Sequence, residues 1–139
     1  MVVLVTAVPL TVLYVEDSRE DAELLARGLQ KCIGVTLEIV RTLAEAIDWF
    51  GAHTADVVLL DLGLPDSRGG LDALDTIRAV APEIVPIVVY TGREENARSA
   101  MRRGATAWLD KGSSPTVVCQ QLRLCVVEAL LRAVRLRRG

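Results

Sequence analysis

The stretch VVLLDLGLPD, Val57 to Asp66, decides the fold and raises the question of function with it. A short branched apolar run ends in a single carboxylate, Asp61, and the chain turns at once through Gly63 and Pro65. Such a run, bounded by turn residues, is the pattern of a strand buried on both faces. A buried strand that ends in an acid asks what the acid is for.

Similar runs lie to either side: LTVLYV (10–15), VTLEIV (35–40), DVVLL (56–60), IVPIVVY (84–90) and TAWL (106–109). Between them the apolar spacing is helical. The first helix, 18–32, opens with Ser18 and Asp21 in the S-x-x-D arrangement of a capping box and sets Ala22, Leu25, Ala26 and Leu29 on one stripe. The second, about 42–52, carries Leu43, Ala46, Ile47 and Phe50, and the third, about 70–80, carries Leu71, Leu74, Ile77 and Arg78. The fourth, 94–103, presents Ala97, Ala100 and Met101 and stops at Gly104. The last starts with Ser114 as N-cap and Pro115 at its first position.

Five strands alternating with five helices argue for a parallel sheet, because parallel neighbours need crossover helices and those helices cover the sheet. The expected fold is α/β: a doubly wound three-layer sandwich with a five-stranded parallel sheet. Strand 2 alternates and belongs at an edge. Residues 1–9 read as an N-terminal extension and 10–139 as one domain with a long C-terminal helix.

Composition narrows the classes. The 139 residues suit one domain with its own core. The net charge of -2 offers no general attraction to nucleic acid, and the cluster Arg132, Arg135, Arg137 and Arg138 reads as a solvated helix end. Cys32, Cys119 and Cys125 have no metal-ligand spacing and read as small apolar residues of a reducing compartment. The apolar N-terminus reaches Glu16 and Asp17 before membrane-spanning length, so the expectation is a cytoplasmic protein without a membrane partner. His53, the only histidine, reads as a surface loop residue.

In a doubly wound sheet, ligands bind beyond the carboxyl ends of the strands. Those ends carry Glu16 and Asp17, then Asp61, then Thr91, then Lys111. Gathered carboxylates repel one another and raise each other's pKa unless a cation joins them. Magnesium suits hard oxygens such as Asp17 and Asp61, with Glu16 reaching through water and the Gly63 backbone carbonyl as a neutral donor. An ammonium and a hydroxyl suit phosphoryl oxygens, so the set points to an aspartate that receives a phosphoryl group.

The residues LYVEDS, LLDLGLPD, VVYTG and GATAWLDKG, over roughly 10–135, resemble the receiver domain of bacterial two-component response regulators. The resemblance implies a flavodoxin-like (βα)5 form with strand order 2-1-3-4-5, and it implies that Asp61 is the phosphoacceptor, Glu16 and Asp17 the acidic pair for Mg2+, Lys111 the phosphoryl contact and Thr91 the switch hydroxyl. Trp108 stands where the family usually has a tyrosine or phenylalanine whose rotamer reports the switch. The implied partner is a sensor histidine kinase, and the implied role is that of a signalling phosphoacceptor, not an enzyme, catalysing only its own phosphorylation and dephosphorylation. Singly, Asp61 reads as a turn acid, Glu16 and Asp17 as first-turn acids, and Thr91 and Lys111 as loop residues; together those readings require four coincidences on one edge.

Four features depart from the family pattern. PDSRGGLDAL has two glycines where most receivers have one, Gly63 has no side chain to orient a water, Arg93 brings a cation two residues past Thr91, and Lys111 precedes Gly112 where proline is common in the family. A phosphatase of the aspartate-nucleophile kind would want an acid at Gly63, and a flavodoxin would not want the acids of VEDSRED where its phosphate binds. With no effector domain after helix 5, the expectation is a stand-alone receiver. Val118, Cys119, Leu122, Leu124, Cys125, Val126, Val127, Leu130, Leu131 and Val134 cover more of helix 5 than one core needs, which predicts a homodimer through that helix. The rival is an unphosphorylated receiver-like scaffold acting through the same helix.

Overall fold

The computed structural model describes residues 9–138, so the expected extension lies outside the described residues apart from Pro9. The chain runs β1 (Leu10–Val15), α1 (Arg19–Leu29), β2 (Val35–Val40), α2 (Leu43–Ala52), β3 (Val57–Leu60), α3 (Gly70–Val80), β4 (Ile87–Thr91), α4 (Glu94–Arg102), β5 (Ala107–Asp110) and α5 (Pro115–Arg138). All strand pairs are parallel, in the order β2-β1-β3-β4-β5. This is the expected sheet, with alternating β2 at one edge.

Because successive strand residues face opposite ways, the same strands serve two cores. Leu13, Val15, Val58, Leu60, Ile87 and Val89 pack beneath α2, α3 and α4, where Ala46, Leu74, Ile77 and Ala100 meet them. Tyr14, Leu59, Val88 and Tyr90 face the other side, against Leu25 and Leu29 of α1 and Val118 and Leu122 of α5. β1, β3 and β4 are therefore buried almost end to end. Each fully buried Leu or Val contributes roughly 1.5–3 kcal/mol.

Local chemistry sets the element ends. Thr42 Oγ1 accepts from the Glu45 amide at 3.1 Å, and Ser114 Oγ accepts from the Val117 amide at 3.3 Å. Gly104, with φ +106°, turns the chain after α4. β4 starts at Ile87 instead of Ile84, because Val85 closes a turn onto the Pro82 carbonyl at 2.9 Å and Pro86 has no N–H to pair. α1 ends at Leu29, short of the expected 32. Ile47 and Met101 stand at the rims of their stripes and are 43% and 41% exposed, not core as their spacing suggested. His53 is exposed at the end of α2, its ring stacked on Trp49 with centroids 5.1 Å apart.

Helix α5 is clamped at its start. Gly28 of α1 lies so close to Pro115 that a Cβ would sit 2.4 Å from Pro115 Cγ. Arg123 is buried, contrary to its polar character; one Nη donates to Cys119 Sγ at 3.2 Å and the other to the Ile33 carbonyl. Buried residues on α5 end at Val126, and Leu130, Leu131, Val134 and Leu136 beyond it are exposed. Among the described residues no helix is long and apolar enough to cross a membrane.

Candidate functional site

Ladder hydrogen bonds bring the predicted residues to one edge. The Glu16 amide donates to the Val40 carbonyl at 2.9 Å, that of Asp61 to Val15 at 3.0 Å, and that of Lys111 to Thr91 at 3.3 Å. Each bond ends a strand at the same height, so the side chains that follow converge.

Glu16 is completely buried. Its Oε1 accepts from the Tyr14 hydroxyl at 2.8 Å and from Lys111 Nζ at 2.6 Å, and its Oε2 from the Ser18 amide at 3.3 Å. Burial, then the Glu16 charge and hydrogen bond, drive the Tyr14 phenol far above its ordinary pKa, so it stays a donor. Lys111 Nζ also lies 2.8 Å from Asp21 Oδ2 and 3.5 Å from Asp61 Oδ1. Burial alone would pull the Lys111 pKa down, but hydrogen bonds to Asp21 and Glu16 and the nearby charges raise it, and the ammonium is secure.

Asp61 carries the opposite imbalance. Burial first, and then the hydrogen bond and charge of Glu16, raise its carboxyl from 3.8 to about 6, although Lys111 and the Gly63 amide pull it down. One ammonium shared among three carboxylates does not neutralise them. One oxygen each of Glu16, Asp17 and Asp61 lie within 4.8 Å of one another. Three hard oxygens short of positive charge fit a magnesium ion and do not fit a soft metal.

Thr91, Gly63, Lys111 and Asp61 line one cleft of about 760 Å³, walled by Arg93, Asn96 and Ser99 of the β4–α4 segment. Thr91 is buried, and its Oγ1 accepts from the Arg93 amide at 3.2 Å. Gly63 leaves the approach to Asp61 open, since even a Cβ there would come only to 3.7 Å from Oδ2. Trp108 is set apart: it is 37% exposed on edge strand β5 and is not among the cleft's lining residues.

Two contributors escaped the sequence reading. Asp21 had a sufficient local explanation as a capping residue. Tyr14 looked like core, although its place two residues before Glu16 put both on one face. Asp66 is a third addition outside the pocket: its two oxygens accept from the Leu43 and Ala44 amides at 2.9 and 3.1 Å, tying the β3–α3 loop to the start of α2.

Fold and site together define a doubly wound α/β domain with an acidic, lysine-bearing pocket at its strand ends. The family model described as response regulator receiver domain matches residues 12–123, and the chain belongs to that family. It is 35% identical over 125 residues to the regulatory protein LuxO of Vibrio vulnificus strain YJ016, covering 88% of this chain and 26% of LuxO. The chain thus spans about a quarter of that relative. Among solved structures it resembles the signal receiver domain of a LuxO repressor protein from Vibrio parahaemolyticus, with TM-score 0.74 and 24% identity over 91% of this chain and 97% of that one. A CheY-like receiver domain protein from Methanospirillum hungatei gives TM-score 0.76 and 20% identity, covering 90% and 99% of the two chains. Both show the same fold.

Proposed function

We propose that the protein accepts a phosphoryl group on Asp61 from a sensor histidine kinase in a Mg2+-dependent reaction and signals through protein contacts in the cytoplasm. The observation that carries this reading is the placement of Asp61, part-buried at the end of β3, beside Lys111 and in the same cleft as Thr91. Glu16, Asp17, Asp61 and the Gly63 carbonyl would hold the magnesium ion. The ion supplies positive charge for the oxygens of the transferring group.

In the metal-free site burial raises the Asp61 carboxyl to about 6, so it is mostly ionised at neutral pH, and a bound magnesium ion would favour the nucleophilic carboxylate further. A carboxylate oxygen attacks phosphorus, an O–P bond forms, the N–P bond of the phosphohistidine breaks, and its electron pair returns to the imidazole. Lys111 holds the charge of the arriving group. Thr91 is the hydroxyl that would answer the new phosphoryl oxygens, and the ring of Trp108, outside the cleft, is the element that would repack on β5.

The output surface in this reading is α5, where a second copy of the chain binds. Leu124, Val127, Leu131 and Val134 recur at spacings of three and four, the seam of a two-helix contact, and three of them are exposed while Val127 is half-buried. The test of the central claim is intact mass after incubation with magnesium and acetyl phosphate. Gain of one phosphoryl group by the wild type and not by Asp61→Asn supports it. A folded, magnesium-binding wild type that gains nothing overturns it in favour of an unphosphorylated scaffold acting through α5.

A further inference from the structure

Asp21 is the unexpected member of the pocket. The S-x-x-D arrangement calls for a reciprocal pair, with Asp21 bonding back to the Ser18 amide. Only half of it forms: Ser18 Oγ accepts from the Asp21 amide at 3.2 Å, while the Ser18 amide turns to Glu16 Oε2. The Asp21 carboxylate is released from capping and reaches across to Lys111 Nζ.

The ammonium's contacts are unequal. Glu16 at 2.6 Å and Asp21 at 2.8 Å are full charge-assisted hydrogen bonds, whereas Asp61 at 3.5 Å is a longer ion pair. Glu16 is buried and tied to Tyr14, so it is a fixed anchor. The Asp21 side chain is 43% exposed and lines a separate cleft with Lys111, so it can leave for water at little cost.

We propose that Asp21 is a positioning residue that draws Lys111 off Asp61, so that a phosphoryl group must displace a carboxylate to engage the ammonium. The proposal rests on reading Asp61 as the phosphoacceptor. Asp21 acts only through Lys111. A phosphoryl group on Asp61 carries about two negative charges and wins Lys111 from a half-exposed monoanion; before transfer the contest is closer, and Asp21 slows the reaction.

The test is the rate of phosphoryl gain from acetyl phosphate, by intact mass, with thermal melting to verify folding. Asp21→Asn is expected to react about fivefold faster, the size of one half-exposed ion pair. Asp21→Glu, which restores the charge, is expected to return the rate to that of wild type. In a Lys111→Ala background, Asp21→Asn is expected to leave the residual rate unchanged, because the residue it acts through is gone. An unchanged or slower Asp21→Asn, or an acceleration that persists without Lys111, overturns the proposal while leaving the acceptor reading intact. A wild type that takes up no phosphoryl group overturns the acceptor reading and this proposal with it.

Discussion

Replacing Asp61 by asparagine is expected to stabilise the metal-free protein. The folded state raises the Asp61 carboxyl from 3.8 to about 6, with burial as the largest cause and Glu16 next. A folded pKa above the unfolded one means that the native state prefers the protonated acid. The favourable contribution is therefore complete below pH 3.8 and is lost as pH rises through about 6. That rise corresponds to about 3 kcal/mol, and only 14% of the side chain is exposed to water that would screen it. Asparagine is neutral at every pH and keeps the shape. At pH 8 without magnesium, urea unfolding should show Asp61→Asn more stable by about 1–3 kcal/mol. The gap should close near pH 4, and magnesium should stabilise wild type more than the variant. An asparagine variant no more stable than wild type at pH 8 would refute the reasoning, because it would mean that Lys111 already neutralises the cluster.

Three further outcomes are expected. Gly28→Ala would gain up to about 1 kcal/mol of helix propensity, yet the Cβ meets Pro115 at 2.4 Å, so thermal melting should show a net loss of about 1–3 kcal/mol; a stabilised variant would mean that α1 and α5 part easily. Asp66→Ala removes two acceptors from the start of α2, which should cost about 1 kcal/mol and speed exchange of the Leu43 and Ala44 amides; those hydrogen bonds hold the Asp66 carboxyl below its ordinary range, so their contribution fades as pH falls through that lowered value. Leu131→Glu places a charge in the exposed stripe of α5, and sedimentation at tens of micromolar should show a dimer for wild type and a monomer for the variant; a wild-type monomer would remove the dimer proposal.

The parallel sheet, its central strands and the edge of the site were legible because all three rest on short-range pattern, whereas the order 2-1-3-4-5 followed from the family resemblance. Continuous apolar runs marked β1, β3 and β4 as central, and the residue after each run marked the pocket. What escaped depends on distances along the chain that no pattern carries. Asp21 and Lys111 are 90 residues apart, and Asp66 and Leu43 are 23 apart; each had an adequate local role as cap or turn acid. Arg123 was hidden for a related reason, since a carbonyl 90 residues away makes its burial tolerable. Ile47 and Met101 were misplaced because a wheel gives the centre of a stripe better than its rims.

The clamp on α5 has a mechanical consequence. Its first turns are locked by Pro115 against Gly28 and by buried residues as far as Val126, and the remaining residues to Arg138 continue as the same helix for about 18 Å. Anything joined to that end would be carried like an arm on a fixed axle. Its heading would be set by residue count: one residue inserted or removed after Val126 would swing the load by about 100° around the helix axis.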